Sequence, residues 1–326
     1  MRKIAFLLTI IVFCSECVIA QRDTVIAYMS NSNAAPWQPF KAKIVGSKDS
    51  ADFIRTVTSP DISVSKSLFP VNEYYLNGNP KLQGNSNTGF IEAQFEGPCI
   101  EFFPNGKKKC ICNYEKGRLS GNVIKYFPNG KIYLSGVYKK DTLIVARCSD
   151  STGRVLVEDG NGTLVLYSDN FKYTIGSGPV KDGLKDAVWK GVLNDTISYE
   201  ATYKNGKVIT GISNAKSGNR YQFNKEYTLP EFIGGLDKFG KYLAKTIIYP
   251  SFARDHNIQG KALISFYVDR QGNLHNIHSV LGNEILATEA VRVMRLSPRW
   301  QPATSYGIAM DAVYSVPISF TMATEY

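Results

Sequence analysis

The residues best equipped for chemistry in this 326-residue chain are three histidines and six cysteines. His275 and His278 lie three apart, which in a regular strand sets them on opposite faces, so with His256 they read as surface residues. No Ser/His/Asp set, glycine-rich phosphate loop or carboxylate pair stands out. The expectation is a protein that is not an enzyme, with no catalytic residues, no cofactor and no metal. Cys99, Cys110, Cys112 and Cys148 lie outside the first twenty residues. The Cys110-x-Cys112 pair matches no zinc spacing and has no His near it in sequence. In an oxidising compartment such cysteines form disulfides or stay as inert thiols. A two-residue hairpin turn centred on Asn105-Gly106 would set Cys99 opposite Cys112, which predicts a disulfide between them. Cys110 would share that face and could compete, while Cys148 has no evident partner.

The compartment is read from the start of the chain. "MRKIAFLLTIIVFCSECVIA" has a basic start, an apolar run and small residues at a Val18-x-Ala20 cleavage site, the pattern of a secretory signal peptide over residues 1–20. The alternative is an inner-membrane anchor through residues 4–20. Cleavage removes Arg2, Lys3 and Glu16 and takes the formal charge from +10 to +9. The lysines are scattered, without an arginine-rich stripe or interleaved aromatics. They read as solvated strand faces and not as a nucleic-acid surface, and an envelope membrane surface is the weaker alternative.

The elements that position these residues repeat. "GPCIEFFPNGKKK" (Gly97 to Lys109) aligns with "GNVIKYFPNGKIY" (Gly121 to Tyr133) at a period of 24 residues. Weaker copies lead to Thr152-Gly153, Asp169-Asn170 and Asn194-Asp195, with "YYLNG" and "YKNGK" at either end. Asn-Gly between aromatic and β-branched runs predicts hairpins, each too small to bury its own face, so that stacking builds the core. The reading divides the chain into the signal peptide (1–20), a β-rich lead-in (21–70), hairpin repeats (71–225) and a different module (226–326).

In that last module, "LDKFGKYLAKTIIYP" places Leu236, Phe239, Leu243 and Ile247 on one helical face, and Pro250 stops the helix. "SFARDHNI" predicts a second short helix closed by Gly260. "KALISFYVD" alternates, with Ala262, Ile264, Phe266 and Val268 on one side. "DRQGN" turns the chain into "LHNIHSVLG", whose broken alternation predicts a bulge. "NEILATEAVRVMRLSP" is an amphipathic helix capped by Asn283, and "DAVYSVPISFTM" is a strand with apolar residues at even positions.

The hairpin units resemble MORN repeats, with "KGRLSGNVIKYFPNGK" the best match. The last module resembles the C-terminal domain of TonB, the energy transducer of Gram-negative transmembrane transport. Tyr249-Pro250, Ile258-Gln259-Gly260, the Asp269 to Gly272 turn, Pro298-Arg299-Trp300-Gln301-Pro302 and "YSVPISF" carry the likeness. It implies a mainly β N-terminal part of stacked hairpins and an α+β C-terminal domain, a three-stranded antiparallel sheet with helices on one face. It also implies a periplasmic protein whose partner is an outer-membrane TonB-dependent transporter, gripped by β-strand addition. The receiving edge would be Val313, Tyr314, Ser315, Val316, Pro317, Ile318, Ser319 and Phe320. Pro317, without an N–H, supports an edge position. The chain departs from the transducer pattern: its N-terminal run reads as cleavable, and hairpins replace the proline-rich spacer. The alternative is a scaffold that self-associates as a homodimer or binds envelope lipid or protein through the repeats, without energy transduction.

Overall fold

Short alternating segments broken by turn residues fold here as hairpins throughout the N-terminal two thirds. The computed structural model describes residues 24–30 and 43–322, so the signal-peptide reading lies outside the described residues. Among these, nineteen strands, from Thr24–Ser30 to Arg220–Phe223, join one antiparallel sheet. From Phe69–Tyr75 onward each long strand pairs with the next long strand along the chain, so the repeats form a continuous meander. The mainly β character and the separate helical C-terminal region agree with the sequence reading.

The Asn205-Gly206 turn takes the two-residue form, with Lys204 opposite Lys207 and both turn residues at positive φ, but the Asn105-Gly106 turn does not. Gly106 N–H donates to Phe103 O and Phe103 N–H to Lys107 O, both at 2.8 Å, so the loop is Pro104-Asn105-Gly106. A two-residue turn would need a donor at position 104, which proline lacks. As the first central residue of a type I turn its fixed φ fits, and Gly106 takes the left-handed position at φ 79°. The longer loop moves the register by one residue, and a bulge beside Glu101/Phe102 moves it back. Cys99 therefore still faces Cys112. The same loop and compensating bulge recur at Phe127–Lys131 and Tyr75–Asn79.

Successive turns are tied into a ladder. The Asn79 amide donates to Pro104 O (2.7 Å), Asn105 to Pro128 O (3.1 Å) and Asn129 to Ser151 O (3.2 Å). The Lys107 and Lys131 ammonium groups donate to Asn129 O and Thr152 O. Asn105 and Asn129 thus each belong to their own Asn-Gly turn and also join it to the next turn.

Two cores line the sheet, one around Met29, Phe53, Val71 and Cys112, the other around Leu134, Trp189 and Tyr203. The first contains a buried ion pair: Arg55 donates through Nε to Glu73 Oε1 at 2.9 Å, and Lys81 closes on the other carboxylate oxygen.

A third core belongs to the C-terminal region. Helix α1 (Gly235–Thr246), helix α2 (Ser251–Asp255) and helix α3 (Glu284–Arg295) supply one side of it. Asn283 caps α3, its side chain accepting from Ile285 N–H at 3.0 Å. The sheet supplies the other side, in the order Leu274–Leu281, Gly260–Val268, Ala312–Phe320. Ala262, Ile264, Phe266 and Val268 are all buried beneath the helices, as alternation predicts. Leu236 corrects the α1 reading: Phe239 is buried and Leu243 and Ile247 pack against the core, but Leu236, the second residue of the helix, is 81% exposed.

The two regions meet through a hairpin that the sequence reading passed over, Ala303–Ser305 with Ile308–Met310. Its tip residue Tyr306 takes a left-handed conformation (φ 49°) and packs among Tyr199, Phe223 and Tyr227 in the core of the last repeats. Tyr306 N–H donates to Glu226 O at 2.6 Å.

Candidate functional site

Ala312–Phe320 pairs with Gly260–Val268 over nine consecutive residues without a register shift, from Val268↔Ala312 to Gly260↔Phe320. It has no other neighbour among the described residues, so its second side is an open edge. Ala312, Val316, Ile318 and Phe320 are buried, Tyr314 is half-buried, and Val313, Ser315, Pro317 and Ser319 are exposed. The alternation anchors the strand by its even side chains and leaves the odd ones on the solvent face.

The same period sorts the main chain. In an unbroken antiparallel ladder, alternate residues aim N–H and C=O at the neighbour and the rest aim away. Pro317 has no N–H and sits opposite Leu263, a place that costs nothing only if its main chain faces the open side. Val313, Ser315 and Ser319 share its parity, so their N–H groups face outward, together with the carbonyls of all four residues. The strand carries no charged side chain, one of the usual devices by which an edge discourages pairing.

The opposite edge, Leu274–Leu281, is built differently. It meets the central strand with two register shifts, and Asn276 has φ 51°. These bulges confirm the predicted break in alternation and interrupt the row of groups a partner strand would need. They also correct the reading of the histidines. His275 pairs with Tyr267 and His278 with Ser265, two positions apart on the central strand, so both fall on one face. His275 Nε2 lies 2.9 Å from Asp269 Oδ2, and the His278 ring contacts Asn276 O at 2.8 Å. Hydrogen bonds from Asn273 and then His275 hold the Asp269 carboxyl well below the usual carboxylate range, which fixes the turn between these two strands.

Behind the sheet, Glu289 locks α3 to the end of α1. Its Oε1 accepts from Ile248 N–H at 2.6 Å, and Arg292 donates both to Glu289 (2.7 Å) and to Thr246 O (2.7 Å). Burial works to raise the Glu289 carboxyl, but the Arg292 and Ile248 donors prevail and keep it low. The open edge thus rests on a braced platform.

Of the cysteines, Cys99 and Cys112 stand directly opposite and Cys110 lies on the same inner side, all buried. All four described cysteines are free thiols in this structure, and Cys148 sits apart in the second repeat core. Burial pushes the Cys148 thiol up to about 11, as expected of an inert core cysteine. No helix among the described residues is long and apolar enough to cross a membrane.

Comparison with protein families agrees with this architecture. Residues 245–322 match the family described as Gram-negative bacterial TonB protein C-terminal, and residues 95–116 and 119–140 each match the MORN repeat variant. The two MORN matches cover the hairpins aligned from sequence, and the TonB match contains the whole three-stranded sheet. Comparison with curated proteins returns no match. The TonB match points to the Gram-negative envelope. The chain therefore carries variant MORN repeats in its large sheet and, behind them, a C-terminal domain of the Gram-negative TonB type.

Proposed function

We propose that the protein is a non-enzymatic periplasmic adaptor that takes an extended segment of an outer-membrane transporter as a fourth strand beside Ala312–Phe320. The observation behind this reading is the contrast between the two sheet edges: one bulged twice, the other regular, uncharged and open over nine residues. Strand addition draws its affinity from main-chain hydrogen bonds, which suits an edge whose exposed side chains are Val, Ser, Pro and Ser. The TonB-type domain supports a partner among outer-membrane proteins.

The reading is tested by Ser315→Pro. This change removes an outward donor while leaving the inward ladder intact, and should weaken capture of a transporter peptide at least tenfold in a folded protein, about 1.4 kcal/mol. Ser315→Ala and Ser319→Ala should leave capture unchanged. Full-affinity capture by folded Ser315→Pro would move recognition away from this edge and favour the scaffold reading.

A further inference from the structure

On the repeat sheet, Glu101, Cys110 and Cys112 form a cluster that the edge-binding reading does not use. Glu101 lies directly opposite Cys110 across the Phe95–Phe102/Lys108–Glu115 hairpin, and Cys112 follows two positions later on the same face. Their carboxylate oxygen and two sulfurs all lie within 4.8 Å of one another. Cys110 and Cys112 are 7% and 3% exposed. They line a cavity of about 170 Å³, whose wall also includes Asp169 and Phe171 from a later loop. We propose that this cluster is a site for a thiophilic divalent cation of the zinc class, with Glu101, Cys110 and Cys112 as its protein ligands.

The chemistry selects the ion. Two thiolates and one carboxylate are a soft, anionic set, suited to zinc and poorly suited to magnesium or calcium. Tetrahedral coordination with Zn–S near ~2.3 Å and Zn–O near ~2.1 Å holds ligand atoms roughly 3.5–3.8 Å apart. Ligand atoms already within 4.8 Å need shifts of only about an ångström to reach that spacing. Three protein ligands leave the fourth position facing the cavity, where a water fits.

Charge supports the same assignment. A dication with two thiolates and a carboxylate carries one net negative charge. Lys109 and Lys125 both line the cavity. They supply the compensation an anionic complex needs, and Lys109 is also 3.5 Å from Asp169.

The bulge at the hairpin is part of the construction. Without the register shift beside Glu101/Phe102, the three-residue turn would set Glu101 opposite Lys109 instead of Cys110. Sequence spacing gives no sign of the site, because one ligand comes from the neighbouring strand and none is histidine.

The test uses the reduced mature chain with Zn²⁺ or Co²⁺ alone. Competition against a chromophoric chelator should give one zinc per chain, and the cobalt form should show a thiolate-to-metal charge-transfer band. Cys110→Ser and Cys112→Ser should each weaken zinc at least tenfold and diminish that band, while Cys148→Ser should change neither. The wild-type stoichiometry and cobalt spectrum decide the matter even if a cysteine variant fails to fold. Absence of stoichiometric zinc, a cobalt spectrum without the thiolate band, or an equal loss in Cys148→Ser would overturn the proposal. So would peptide mapping of envelope-isolated protein that finds Cys112 fully paired with Cys99, since that bond consumes a ligand.

Discussion

The Ser213 hydroxyl donates to the Tyr306 carbonyl at 2.8 Å, joining residues 93 positions apart across the junction between the last repeats and the C-terminal domain. Tyr306 itself is 7% exposed and fills the end of the repeat core. The hairpin that carries it leads directly into the open edge strand. Tyr306→Ala should therefore cost about 3–5 kcal/mol, in the range of other large aromatic truncations. Hydrogen exchange during urea unfolding should show the repeats and the C-terminal sheet opening together in the native protein and separately in the variant.

Val316→Pro is the folding counterpart of the edge test. Val316 is buried and faces Ile264 with the parity that aims its N–H inward, so proline there removes a ladder bond. The loss should be roughly 3 kcal/mol or more, read as a fall in melting temperature, with Ser315→Pro much closer to the native value.

Glu73 is 2% exposed and accepts from Arg55, itself 4% exposed, as well as from Lys81. Glu73→Ala leaves a buried guanidinium without its carboxylate and should destabilise by about 3–5 kcal/mol in urea titration. Glu73→Leu combined with Arg55→Leu, which removes both charges, should cost much less than that single change.

Hydrogen bonds from Thr152, helped by the main chain of the same turn, lower the Asp150 carboxyl to about 2. A folded-state value below the unfolded value of ~3.9 gives stability that is present above pH ~4 and lost as pH falls through about 2. Asp150→Asn should accordingly melt at a lower temperature than the native protein at pH 7, with the gap closing between pH ~4 and about 2. A gap independent of pH would show that the charge contributes nothing.

Much of this protein was legible in its sequence because its signals are local. The Asn-Gly turns, the even-position apolar residues of Ala262 to Val268 and Ala312 to Phe320, and the Asn283 cap each act over a few residues, and each has its predicted element in the structure. Pro317 marked its strand as an edge because a missing N–H restricts position wherever the fold places it. Tertiary structure decided the rest. Bulges re-aimed side chains that strict alternation would separate, putting His275 and His278 on one face and Glu101 opposite Cys110. Tyr306 gives little local signal, since its left-handed turn is held by Glu226 and Ser213, far away in the chain. Register and docking depend on which distant surfaces meet, and a one-residue slip changes every cross-strand partner without changing any local preference.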